Sequence, residues 1–438
     1  MITTVVGKTF LDAYNKKYQT NLSAKQFFEE VYFELFYNHP KYMQWVTNSP
    51  FVQMKSGQKP EKLSVEERRE KLLSLYDKVS SEEPDASFAL GFPASETKEY
   101  ASTSGLVSDI KIATTNDDVY LSWIGSGLGI GLAGGFSLLF DDPVITLQTF
   151  EGWKIYRKYL NDEVLSKLRG NQINTWNGQW LAYSLGSDYN KDFDFTRLES
   201  AGIFKRDTQL IEINTVNWSQ LFFSLSQLYP DSDLTAYVYG FGQTNKTIGF
   251  IPFQFKSGNK IKNVYNKLFG GDYQIGKKEF ENLFGMHIKR ACELGSVGLQ
   301  ALRPENLNKY MNDSKNISFK KEEDTIIYHA YKTWLVAMLT KNKEEITDYT
   351  LELAETIKRY RNASSKNDRK NLIEQVLFGS KSKKGFIDAL TEMVKDLNNE
   401  DLQTIKKLKD EVHLMTNEEY GYFCTLLKFD YAFVEKKS

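Results

Sequence analysis

Along the first quarter of the chain, apolar residues recur at helical spacing. Ser23 precedes AKQFFEEVYFELFYNH with Gln26 three residues on, a capping box that opens a helix. Phe27, Val31 and Leu35 share one face of it until Pro40 ends the run. Ser64 and Glu67 open a second helix, EERREKLLSLYDKV, and the polar SSEEPDAS after it reads as a loop. From about Val107 the period changes. VSDIKIATT, DVYLSW, FSLLF, TQLIEINT, LTAYVYGFG and TIGFIPFQF are short, rich in β-branched or aromatic residues and bounded by Gly, Asn and Asp, which predicts strands. Helices are expected between them around 150–168, 216–228 and 278–294. From Glu322 the pattern is helical almost to the end, as in KGFIDALTEMVKDL, where Phe386, Leu390, Met393, Val394 and Leu397 form one apolar stripe. The expected fold class is therefore α+β. An irregular mixed α/β N-terminal body with N-terminal helices covers residues 1–318, and an all-α C-terminal helical bundle covers 319–438, with the boundary in the polar stretch MNDSKNISFKKEED.

One stretch departs from both periods. Tyr120–Phe140, YLSWIGSGLGIGLAGGFSLLF, carries no charge and six glycines. Gly129–Gly134 spells G-x-G-x-x-G, but FSLLFDDPVITL after it reads as a strand and a turn, with the next helix only near Thr149, whereas a phosphate loop must open directly into a helix. The length suits a membrane span, yet Asp117, Asp118, Asp141 and Asp142 flank it with no adjacent Lys or Arg. The remaining expectation is an extended segment with Gly125, Gly127, Gly129 and Gly131 on one face. Such a face admits a close backbone, either the protein's own or a ligand's.

Composition narrows the class. With 438 residues, 41% hydrophobic and 14% aromatic, the chain has material for two or three cores. Its net charge of −1 gives no global attraction to nucleic acid or anionic lipid, so any such binding must be local. Two distant cysteines, Cys292 and Cys424, and an N-terminus with Lys8 and Asp12 where a signal peptide needs an unbroken apolar core lead to the expectation of a cytoplasmic protein.

Catalytic motifs are sparse. The four histidines are not paired at ligand spacing, and neither C-x-x-C nor G-x-S-x-G occurs, so no metal and no cofactor is expected. Gly271–Lys278 lacks the closing Ser or Thr of a Walker A loop. Asp85, Glu96 and Lys98, with Asp141 and Asp142, have the residue types of a magnesium-dependent nuclease, the alternative enzymatic reading.

Two basic segments and one polar cluster stand out instead. Residues 358–384 hold nine Lys or Arg against Asp368 and Glu374, among them Arg369, Lys370, Lys381, Lys383 and Lys384. Residues 253–278 hold six lysines against Asp272, including Lys256, Lys260, Lys262, Lys277 and Lys278, interleaved with five aromatics. Lysines suit phosphates and rings suit unstacked bases; a solvated surface has the same composition. NQINTWNGQW and FGQTNKT supply Asn174, Trp176, Asn177, Gln179, Gln243, Asn245 and Lys246, side chains that hydrogen-bond or stack on bases, or that satisfy their own turns. This organisation, with EGWKIYRKYL, NTWNGQWL and the closing GFIDALTEM and LLKFDYAF, resembles the large subunit of type I CRISPR surveillance complexes. The resemblance implies a non-enzymatic role: reading a short DNA element beside the target and holding DNA strands while guide RNA pairs. Its implied partners are other protein subunits of a ribonucleoprotein complex, guide RNA and target DNA, with no membrane. An interaction protein without a nucleic-acid role is the third reading.

Overall fold

A computed structural model describes residues 1–45, 49–55, 57–86, 88–92, 113–186, 189, 202–207, 209–240, 246–270, 281–286, 288–312, 316–340, 350–364 and 367–436. The fold is α+β. It divides into two compact units, Met1–Phe255 with His287–Ser296, and Lys256–Met286 with Val297–Ser438.

In the first unit, helix α1 (Ile2–Tyr18) is followed by α2 (Ala24–Phe27), which runs through a π-helical turn, Phe28–Phe33, into α3 (Glu34–Phe36). Helix α4 spans Val65–Ser81. Both capping boxes form: Ser23 and Ser64 each accept from the backbone three residues on and are bonded in return by Gln26 and Glu67. The short strands β1 (Asp85–Ala86) and β2 (Leu90–Gly91) make an antiparallel pair, and α5 follows at Asn116–Gly127.

Helix α5 overturns two expectations. DVYLSW is helical, because a segment buried on every side, as Val119–Gly127 is, shows no amphipathic period. Its start is fixed by Asp118, whose carboxylate accepts the Thr115 N–H at 2.7 Å. The glycines consequently form no alternating face. Gly125 and Gly127 lie on the helix, Gly131 lies in β3 (Ile130–Leu132), and Gly134 and Gly135, at φ of 91° and 77°, turn the chain into β4 (Phe136–Phe140). What they approach is the protein itself. A Cβ on Gly125 would stand 1.9 Å from Thr3 O of α1, and one on Gly7 2.0 Å from Leu121 O of α5.

Helix α6 (Pro143–Leu160) starts earlier than Thr149 because Asp142 caps it, accepting from the Val144 and Ile145 N–H groups. Helix α7 (Ile173–Ser184), strands β5 (Phe204–Arg206) and β6 (Ile211–Ile213) and helix α8 (Trp218–Leu228) follow. Strands β7 (Leu234–Gly240) and β8 (Lys246–Phe253) complete an antiparallel four-stranded sheet of order β3-β4-β7-β8. The core beside it is aromatic, a chain of ring contacts linking Phe27, Phe10, Phe150, Trp153 and Tyr32.

The second unit is helical. Helix α9 (Lys256–Phe269) packs on the helix Glu322–Leu339, and Thr350–Asn362, Lys383–Val394, Asn399–Leu414 and Asn417–Lys436 surround a core of Leu353, Ile357, Phe386, Leu390, Met393, Ile405, Val412 and Phe423. Phe386, Leu390 and Met393 of the expected stripe are buried; Val394, at the helix end, is exposed. Within this unit Lys332 and Asp430 form a fully buried ion pair at 3.0 Å, and Asp430 also accepts from Tyr328 and Thr350, each at 2.7 Å. Among the described residues no helix is long and apolar enough to cross a membrane.

Candidate nucleic-acid interface

Helix α7 takes three of the sequence-derived contact residues out of reach and partly covers a fourth. Trp176 is 1% exposed and donates to Gly152 O at 2.7 Å, stacked against Tyr156. Asn177 is fully buried, its amide donating at 2.8 Å to both Gly127 O and Gly129 O. Gln179, also buried, donates to Asn214 O at 2.7 Å. The half-buried Asn174 amide faces Ser137 Oγ and Tyr239 OH. Asn177 satisfies backbone carbonyls at the end of α5 and the entry to β3, where the glycine-rich segment leaves no side chain to do so. Buried carbonyls need donors, and the amide N–H groups of Asn177 and Gln179 supply them here. Trp176, Asn177 and Gln179 have no surface to offer a base, and Asn174 is only partly accessible.

The basic residues separate by what their cations already bond. Lys260 is half-buried and donates to Thr340 O at 2.5 Å, capping the helix Glu322–Leu339. Arg369 lies over the Tyr360 ring, donates to Tyr360 O and pairs with Asp396 at 3.0 Å. Its cleft of about 430 Å³ is lined by Asp368, Glu392 and Asp396 against Arg369 and Lys395, a lining that does not favour an anion. Lys383 donates to Met415 O at 2.7 Å and so caps the helix Asn399–Leu414. Lys262 is half-buried. Lys256, Lys370, Lys381 and Lys384 are exposed in the second unit, and Lys246 in the first. Gln243, Asn245, Lys277 and Lys278 lie outside the described residues.

Lys246 opens β8, an edge of the four-stranded sheet. On this strand Ile251 and Phe253 point into the core, while Phe250 is 65% exposed and Ile248 38%. A bulge pairs Val238 with Gly249 and Tyr239 with Thr247, leaving Ile248 between them, and Gly249 accommodates it at φ 116°. Phe250 sits opposite Tyr237, ring to ring at 5.3 Å, and the Tyr237 and Thr247 hydroxyls lie 3.0 Å apart. Two rings and two hydroxyls thus share one face of the hairpin, and Lys246, opposite Gly240 at the head of the strand, belongs to the other. No sequence motif marks Phe250 or Tyr237. The one signal for them is that TIGFIPF is apolar on both alternating faces, more than one core requires.

The acidic groups have structural occupations. Asp141 accepts from Thr9 at 2.5 Å, and Asp142, besides capping α6, accepts from Tyr229 at 2.5 Å. Asp85 lies in β1, and Glu96 and Lys98 lie outside the described residues. Among the described residues no group of three or more His, Cys, Asp or Glu could hold a metal ion. Comparison of the chain with protein-family models, with curated proteins and with solved structures yields no match.

Proposed function

We propose that the protein is a nucleic-acid-binding subunit of a CRISPR-type RNA-guided complex, one that recognises a short DNA element beside the target and holds DNA strands. The observation that carries the binding part of this reading is the β7–β8 hairpin, where Phe250 is 65% exposed on an edge strand that begins at the exposed Lys246. An exposed ring suits an unpaired base, and a lysine at the head of the same edge strand suits the phosphate backbone. Lys370, Lys381 and Lys384, on the helical unit, suit sequence-independent backbone contacts. The RNA-guided context rests on the likeness in organisation to the type I large subunits.

Fluorescence anisotropy of the complex containing this chain, with single-stranded and duplex DNA, tests the reading. Stacking is worth about 1–3 kcal/mol per base, so Phe250→Ala should weaken single-strand binding by about ten-fold or more with thermal stability retained. Lys381→Glu with Lys384→Glu should flatten the dependence of log affinity on log salt by roughly 0.7–0.9 for each phosphate no longer neutralised. Unchanged affinity in both variants would remove these surfaces from the reading.

A further inference from the structure

Among its described residues the first unit buries positive charge without a counter-charge. Helix α4 turns Arg68, Leu72, Leu75 and Val79 toward the core, so Arg68 occupies a position on an otherwise apolar stripe. It is 6% exposed, and its Nε has no hydrogen-bond partner. Arg157 of α6, 8% exposed, donates to Leu35 O and Lys41 O but meets no carboxylate among the described residues. Beside them Tyr42 is 3% exposed with its hydroxyl unpartnered.

The segment 39–42 completes the cluster. Lys41 donates to Ser166 O at 2.7 Å, and its backbone N–H donates to His39 Nδ1 at 2.9 Å. That bond leaves the His39 proton on Nε2, directed at Asn161 Oδ1 at 2.7 Å. The groups sense one another as cations. Burial first, and then the positive charges of Arg157 and Arg68, hold His39 down at about 4. Burial and then Arg157 lower Lys41. Burial lowers Arg157 to about 10, Tyr156 opposing and Arg68 adding to the shift. Among the described residues no Asp or Glu acts on any of these three.

A buried cation lacking a partner costs several kcal/mol, and an apolar residue at the same position costs nothing. An arginine on the apolar stripe of α4 is therefore explained by something that neutralises it. We infer that Arg68, Arg157, Lys41 and Tyr42 form an anion site that takes a phosphate group. The Arg68 guanidinium and the Tyr42 hydroxyl supply the unpartnered donors for its oxygens, Arg157 and Lys41, already bonded to backbone carbonyls, add positive charge, and the neutral His39 closes one side. The inference stands apart from the proposed function, since the site shares no residue with the hairpin or the exposed lysines. The phosphate source is either inorganic phosphate or the terminal phosphate of an oligonucleotide, an interior phosphate being too encumbered for so buried a cluster.

The test is thermal unfolding of the full chain titrated with sodium phosphate at ionic strength held constant with chloride. The expected result is a saturable rise in Tm with phosphate, and affinity weakened by more than about ten-fold in Arg68→Met, the loss of one charge-assisted hydrogen bond. Without phosphate, Arg68→Met should unfold at or above the wild-type Tm. No rise in wild-type Tm beyond that in chloride overturns the site, whatever the variants do. A lowered Arg68→Met Tm with an intact phosphate response overturns it too, by making Arg68 structural. Should Arg68→Met not fold, Arg68→Lys, which keeps the charge and loses the fork, is expected to bind phosphate more weakly than wild type. Competition by a 5′-phosphorylated oligonucleotide, and none by its 5′-hydroxyl counterpart, assigns the source to a nucleic-acid end; competition by neither assigns it to free phosphate.

Discussion

Replacing Gly125 by Ala separates what the glycine run does from what it resembles. The added Cβ would stand 1.9 Å from Thr3 O, where ordinary contact begins at 3.4 Å, so α1 and α5 must part by about 1.5 Å, a shift large enough to forfeit much of the dispersion energy along their interface. The obstacle is backbone, which no rotamer change relieves. Overpacking costs about 1–3 kcal/mol and sometimes more, while helix propensity alone returns about 1 kcal/mol on going from Gly to Ala. With an obstacle of this kind the cost sits at or beyond the top of that range, and the expected net loss is about 2–4 kcal/mol, or roughly 5–15 °C in Tm for a unit of this size. Gly421 is the internal control. It also lies within a helix, Asn417–Lys436, but nothing stands within 4 Å of its notional Cβ, so Gly421→Ala should stabilise by up to about 1 kcal/mol. Thermal and urea unfolding of both variants decide the matter. A Gly125→Ala protein as stable as wild type would refute the close helix crossing.

Asn177→Ala strands two buried carbonyls, Gly127 O and Gly129 O, and should cost about 2–4 kcal/mol in urea unfolding, while nucleic-acid affinity of the folded protein stays unchanged. Asp430→Ala leaves Lys332 buried without its carboxylate and should cost about 3–5 kcal/mol, whereas pairing it with Lys332→Met should recover much of the loss in calorimetry. His329, 3% exposed and stacked on Phe269 at 3.9 Å, is held at about 4 rather than 6.5 by burial and then by Lys332, which Asp430 faces from the helix Asn417–Lys436. Because the unfolded chain takes up this proton first, stability is full above about pH 6.5 and falls by up to roughly 3 kcal/mol toward pH 4. His329→Phe should flatten that decline in unfolding midpoints measured across this range.

Local chemistry was legible in the sequence and long-range partnership was not. Ser23 with Gln26 and Ser64 with Glu67 act within one helical turn, so their spacing alone locates α2 and α4. Strands β4, β7 and β8 announce themselves by β-branched and aromatic runs between glycines. Helix α5 gave no such signal, because burial on every side erases the 3.6-residue period. Asn177 looked like a base reader because the carbonyls it serves lie 48 and 50 residues away. Likewise, the charge of Arg369 says nothing of Asp396, nor does that of Lys383 of the helix end it caps. Residues 256–269 precede the polar stretch after Tyr310, yet α9, with Ile261 and Val264 buried, packs on the helix Glu322–Leu339.

The most direct measurement is native affinity purification of the chain from its own cells without nuclease treatment, followed by mass spectrometry of the proteins and sequencing of any retained RNA. The account predicts a stoichiometric multi-subunit particle carrying short RNAs of uniform length, and retention of target DNA that weakens steeply as salt rises. An RNA-free chain that elutes alone and binds neither single-stranded nor duplex DNA at low salt would contradict it.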